Sequence, residues 1–194
     1  MRPDVFKYRP IVMSSICETA ARWYVMRDLK RPNAKMPAYR QLSDVGMEVF
    51  TPMRHVLKIR NGRRIRESVP FIRDLLFVRE TRAVLDPIVE KTPTLQYRYR
   101  RGGEYREPMV VADEDMDIFM RAVAGSSNPR YYLPQELTPS MCGCAVRVVG
   151  GVLDGYEGRL LSIRGSRTKR LLVELPDFVT VAIEADFEYV QIIK

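Results

Sequence analysis

The sequence predicts an α+β chain in two parts, an antiparallel sheet with flanking helices followed by a small all-β module. Three observations predict it. Between residues 22 and 125 the apolar pattern switches repeatedly between period two and helical spacing. A stretch rich in proline, serine and asparagine follows, with Pro129, Pro134 and Pro139. Beyond it, about five short apolar runs are separated by turn residues, the spacing of a small barrel. The boundaries read as a tail over 1–21, a first domain over 22–137, and a linker with a second domain over 138–194.

The first strand opens at Trp23, with Tyr24, Val25 and Met26. Met36, Tyr39, Leu42 and Val45 recur at helical spacing behind Pro37, and Gly46 reads as the C-terminal cap. Residues 48–59 are β-like. Asn61-Gly62 then marks a two-residue hairpin, because a type I′ turn needs positive φ at both positions. The return strand runs to Pro70, and Leu75-Leu76-Phe77-Val78 resumes as a buried strand. Val84, Leu85, Ile88 and Val89 fall at helical spacing, with Pro87 expected to kink that helix or delay its start. Gly102-Gly103 reads as another hairpin turn. Residues 113–125 form a marked helix. Asp113 is expected to cap it, Glu114, Asp115 and Asp117 favour the dipole, and Gly125 ends it.

Composition narrows the function class. The chain has 194 residues, 46% hydrophobic, and carries a net charge of +8. From residue 145 onward seven basic residues balance seven acidic ones, so the whole excess belongs to residues 1–144. A basic first domain favours polyanion partners. No apolar run reaches membrane-spanning length, and a cytoplasmic monomer is expected. Cys17, Cys142 and Cys144 fit neither a disulfide framework nor a zinc site, and His55 is the lone histidine. No paired carboxylates, phosphate loop or triad spacing stands out, so no catalytic residue, metal or cofactor is expected, and an enzyme is disfavoured.

Residues 146–163 (VRVVGGVLDGYEGRLLSI) carry the sharpest signal. An apolar strand meets a loop punctuated by Gly150, Gly151, Gly155 and Gly158, and a second strand follows. An ordinary glycine-rich hairpin is the plain reading. The alternative is a KOW motif, with a loop of Gly151, Leu153, Gly155, Tyr156 and Gly158. This motif belongs to a small β-barrel module of elongation factors and some ribosomal proteins.

The first half supports the alternative. Trp23-Tyr24-Val25, Glu48 to Met53 (EVFTPM), the basic hairpin, and Pro70 to Val78 (PFIRDLLFV) together resemble the N-terminal domain of the NusG family. The stretch from Val49 to Val78 looks closest to the specialised RfaH and UpxY-type paralogues. The resemblance covers nearly the whole chain from Trp23 onward. It implies a NusG-type domain followed by an SH3-like KOW barrel. It implies a transcription elongation and antitermination factor that binds the clamp helices of RNA polymerase, suppresses pausing and termination, and serves long polysaccharide-type operons. The polymerase surface would involve Tyr24, Phe50, Leu75 and Phe77, with Phe119 beside them. The KOW module would recruit a ribosomal protein or a termination factor. Two departures matter: Leu75 replaces the tyrosine expected in the clamp-helix pocket, and Arg27 stands where RfaH has an aromatic residue.

Arg54, Lys58, Arg60, Arg63, Arg64 and Arg66 put six cations on one hairpin with no acid among them. They would track phosphates or an acidic protein surface, or merely keep an exposed edge soluble. Lys30 and Arg31 align with a basic pair that RfaH uses on non-template DNA, and a solvated loop is the competing reading. Tyr97, Tyr99 and Tyr105 alternate with arginines, which is read as strand patterning rather than base stacking. A second function remains in view: a KOW-type RNA-binding protein in ribosome assembly or leader-RNA regulation.

Overall fold

Alternation in the first half builds a sheet with two apolar faces. The computed structural model describes residues 20–30, 35–100, 107–162, 169–184 and 190–193. Its first half runs β1 (Arg22–Asp28), α1 (Ala38–Asp44), β2 (Glu48–Phe50), β3 (Met53–Arg60), β4 (Arg63–Pro70), β5 (Leu75–Glu80), α2 (Arg82–Lys91), β6 (Leu95–Tyr97), β7 (Val110–Val111) and α3 (Asp113–Gly125). The main sheet has the order β2-β5-β1-β6, with β7 also pairing β1, and every pairing is antiparallel. Successive side chains of a strand point to opposite faces. Trp23, Val25, Leu75 and Phe77 therefore pack toward α3, while Tyr24, Met26, Leu76 and Val78 pack toward α1 and α2. Strands β3 and β4 stand apart as a two-stranded ribbon.

The second half runs β8 (Arg130–Tyr132), β9 (Cys142–Val148), β10 (Glu157–Leu161), β11 (Arg170–Leu175), β12 (Val179–Glu184) and β13 (Val190–Ile192). They form one antiparallel sheet in the order β13-β9-β10-β11-β12-β8. The expected closed barrel is not found: among the described residues the end strands β13 and β8 do not pair with each other. A register shift opposite Arg159 and Leu161 irregularly joins β9 to β10. The outer edge of β12 is taken by β8, a strand from the proline-rich stretch. One face of this sheet carries Leu171, Val173 and Leu175 into the same core as Phe77 and Phe119. The other buries Leu161, Leu172 and Ala182 under Tyr132, Leu137 and Met141.

Several sequence expectations shift in detail. Asn61 and Gly62 take φ of 51° and 74°, and Arg60 pairs Arg63, so the two-residue turn forms as expected. Gly46, with φ of 86°, follows α1. The N-cap of α3 is Ala112, not Asp113. Asp113 sits in the first turn and pairs with Arg79 at 3.3 Å. Pro87 lies inside α2, which starts at Arg82 and continues past it. The Gly102-Gly103 turn, Tyr105, Cys17, Arg31 and nearly all of the tail lie outside the described residues. Among the described residues no helix is long and apolar enough to cross a membrane.

Candidate functional site

The face of the first sheet beneath α3 gathers four of the five residues expected at the polymerase surface. Phe50 sits opposite Phe77 across the β2–β5 pair, and α3 lowers Phe119 onto both. Phe50 meets Phe119 edge to face, with centroids 6.0 Å apart, and lies 6.4 Å from Phe77. Leu75, Phe77 and Phe119 are buried and Phe50 is half-buried. Tyr24 is not with them. It belongs to the opposite face, buried against Tyr97 at 5.6 Å. Trp23 and Val25, which sequence reasoning passed over as site residues, occupy the α3 face instead. Period-two alternation from Phe77 through the antiparallel register was the signal that would have found them.

This face is covered by the second half. Phe178 meets Phe77 edge to face, and Val173, Val179 and Val181 join the same cluster. Tyr131 of β8 stacks against Phe71 with centroids 5.3 Å apart. A polar contact also spans the two halves, and others tie down each half at its edge. Arg121 on α3 donates to the Val152 carbonyl at 3.1 Å. The buried Arg170 donates to the Asn128 carbonyl at 2.9 Å and to Glu184 at 2.7 Å. At the rim, Arg27 pairs with Asp74 at 3.1 Å, and Arg98 reaches the same carboxylate at 3.3 Å. The backbone of Arg27 is paired with that of Leu75. The two departures from the family pattern are therefore neighbours.

The basic hairpin is one ribbon with two unlike faces. Cross-strand partners share a face. Arg54, Val56, Lys58 and Arg60 stand with Arg63, Ile65, Glu67 and Val69, whereas Leu57 and Ile59 stand with Arg64 and Arg66. The first of these faces borders a groove of about 560 Å³ that Lys30, Lys35, Arg40 and Arg73 also line. Lys58 is partly neutralised by Glu67 at 2.7 Å. Arg54 lies over the Phe71 ring, 5.6 Å from its centroid. Lys30 is tied down rather than free, since its Nζ donates to Gln41 at 2.7 Å and to the Met36 carbonyl at 3.1 Å. Asp28 holds this corner, accepting from the Ala38 N–H at 2.6 Å and the Lys30 N–H at 3.0 Å.

The glycine loop is built as its spacing suggests. Gly150, Gly151 and Gly155 take φ of 88°, 71° and 79°, values costly for any residue with a Cβ. The Asp154 carboxylate accepts the Gly150 N–H at 2.5 Å. Leu153 is buried, while Val152 is exposed. Gly158 serves close approach instead, since a Cβ there would lie 2.9 Å from the Leu172 carbonyl oxygen. Tyr156 donates to that same carbonyl at 3.1 Å, and burial raises its phenol pKa.

The family model described as transcription termination factor nusG matches residues 21–120, just over half of the chain. No curated protein matches. The matched span holds the Phe50–Phe77–Phe119 face and the whole basic ribbon, and it ends within α3.

Proposed function

The chain belongs to the NusG family of transcription factors, and from that premise we propose that it is an elongation and antitermination factor acting on RNA polymerase. In this reading the α3 face, with Phe50, Leu75, Phe77 and Phe119, docks on the clamp helices. Tyr24 supports the sheet from behind. The ribbon reaches toward nucleic acid, with the displaced non-template strand as its target. Suppressed pausing and termination follow from bridging the cleft. Service of long polysaccharide-type operons, and recruitment of a ribosomal protein or termination factor by the glycine-loop module, complete the proposal.

One observation carries most of it: three phenylalanines and a leucine converge on one face of the family domain, and a separate set of strands covers them. A docking face of this kind needs a cover when it is not engaged, because contiguous exposed apolar patches mark interaction sites and invite aggregation. The second half therefore has to move aside before polymerase can use the face. Transcription in vitro on a long template with natural pauses tests the activity. Added protein should shorten pauses and raise readthrough at terminators. Unchanged pausing at saturating protein would sink the proposal.

A further inference from the structure

We infer that the outer face of the β3–β4 ribbon is a protein-docking face, taking an extended acidic segment that carries apolar side chains, and is separate from the groove-side face that tracks nucleic acid. This goes beyond the clamp-helix reading and does not depend on it. Leu57 and Ile59 are 74% and 77% exposed, among the most exposed large apolar side chains of the described chain. They sit directly across from Arg66 and Arg64. No acid lies among His55, Leu57, Ile59, Arg64, Arg66 and Ser68, the exposed residues of this face. The acid of the ribbon, Glu67, is on the groove side and engages Lys58.

The chemistry selects the occupant. Phosphates would satisfy the arginines but leave the aliphatic side chains in water. Unpaired bases are met by runs of aromatic rings, and this face offers one imidazole, His55, and no Phe, Tyr or Trp. A membrane anchor needs a wider apolar face than two side chains provide. A second copy would set arginine against arginine. An extended acidic segment with apolar side chains two residues apart offers carboxylates to Arg64 and Arg66 and cover to Leu57 and Ile59, which share that spacing. The ribbon gains as well, because a lone two-stranded hairpin exposed on both faces is marginally stable and benefits from cover.

Fluorescence anisotropy on the full chain tests this with four probes: a short peptide alternating Glu and Leu, oligoglutamate, oligothymidine, and vesicles of anionic phosphatidylglycerol. The Glu/Leu peptide should bind more tightly than oligoglutamate. Leu57→Ser with Ile59→Ser should weaken that peptide by about tenfold or more, as loss of two buried aliphatic side chains implies, and should leave oligothymidine within about twofold. Arg64→Ser with Arg66→Ser keeps the aliphatic pair and should weaken the peptide while flattening its salt dependence. Circular dichroism confirms that each variant is folded. Equal binding of the two peptides by the native chain would overturn the proposal. So would loss of oligothymidine or vesicle binding in the Leu57/Ile59 variant, or self-association abolished by the same change.

Discussion

Phe77 and Phe178 meet edge to face, their ring centroids 5.7 Å apart and their planes at 87°. Phe77 belongs to β5 of the family domain, and Phe178 to the turn ahead of β12. The contact joins two halves that the proline-rich stretch separates in sequence. Phe178→Ala removes the ring but not the strand, and should cost about 3 kcal/mol in urea unfolding. It should also speed protease cleavage between residues 126 and 139, followed by mass spectrometry. An unchanged cleavage rate would mean that this contact does not hold the halves together.

Gly158 lies opposite Val146 in the β9–β10 pair. A Cβ there would fall 2.6 Å from the Tyr156 ring and 2.9 Å from the Leu172 carbonyl oxygen. The ring is itself held by its bond to that carbonyl, so it has little room to yield. Gly158→Ala should lower stability by about 1–3 kcal/mol, the usual cost of overpacking. A loss much below that, with no shift in the near-ultraviolet tyrosine signal, would count against the packing described.

What could be read from the sequence was local. Asn61-Gly62 specifies its turn because two adjacent positive φ values admit few other residues, and the acidic first turn of α3 is a short-range electrostatic signature. Pro87 does not delay the start of α2, which begins at Arg82 and continues past it, because packing of the buried Leu85 outweighs the lost hydrogen bond. β8 was hidden for a different reason. Arg130–Tyr132 has no strand pattern of its own against a background of proline and serine, and it exists by pairing with β12 some fifty residues away. The candidate site was half legible. Alternation says that Tyr24 and Phe77 are buried, but the antiparallel register alone puts them on opposite faces. The same register divides the six hairpin cations, which in sequence look like one set.

Tyr131 on β8 reports closure through pH. Burial pushes its phenol up to about 12 from an ordinary value of 10. The folded state holds the proton more tightly than the unfolded chain. The contribution is therefore complete below pH 10 and is lost as pH rises from about 10 toward 12. The loss should reach roughly 2–3 kcal/mol at the upper end. Tyr131→Phe lacks this component, and Tyr156, shifted in the same direction, is common to both proteins. The stability difference between native and variant proteins should thus be flat from pH 7 to about 9.5 and move in favour of the variant above it. A flat difference up to pH 11.5 would refute the shift.

Arg60 and Arg63 flank the turn and share the groove-side face. Both are exposed. Arg60→Ser with Arg63→Ser should leave stability within about 0.5 kcal/mol. Against single-stranded DNA, the slope of log K with log salt should shrink by about 1.4, because two phosphates are no longer neutralised. An unchanged slope in titrations at several salt concentrations would show that these cations only keep the tip soluble.

If the Phe50–Phe77–Phe119 face is the polymerase-docking surface and the second half covers it, weakening the cover must strengthen docking. The decisive titration sets the full chain, native and Phe178→Ser, against a purified clamp-helix fragment of RNA polymerase, read by calorimetry and by methyl and aromatic NMR shifts. Phe178→Ser should bind at least about tenfold more tightly, because opening then has one fewer ring contact to break. The shifted signals should include Phe50, Leu75, Phe77 and Phe119. Equal affinity for the two proteins, or shifts confined to the ribbon, would contradict both the docking face and its cover.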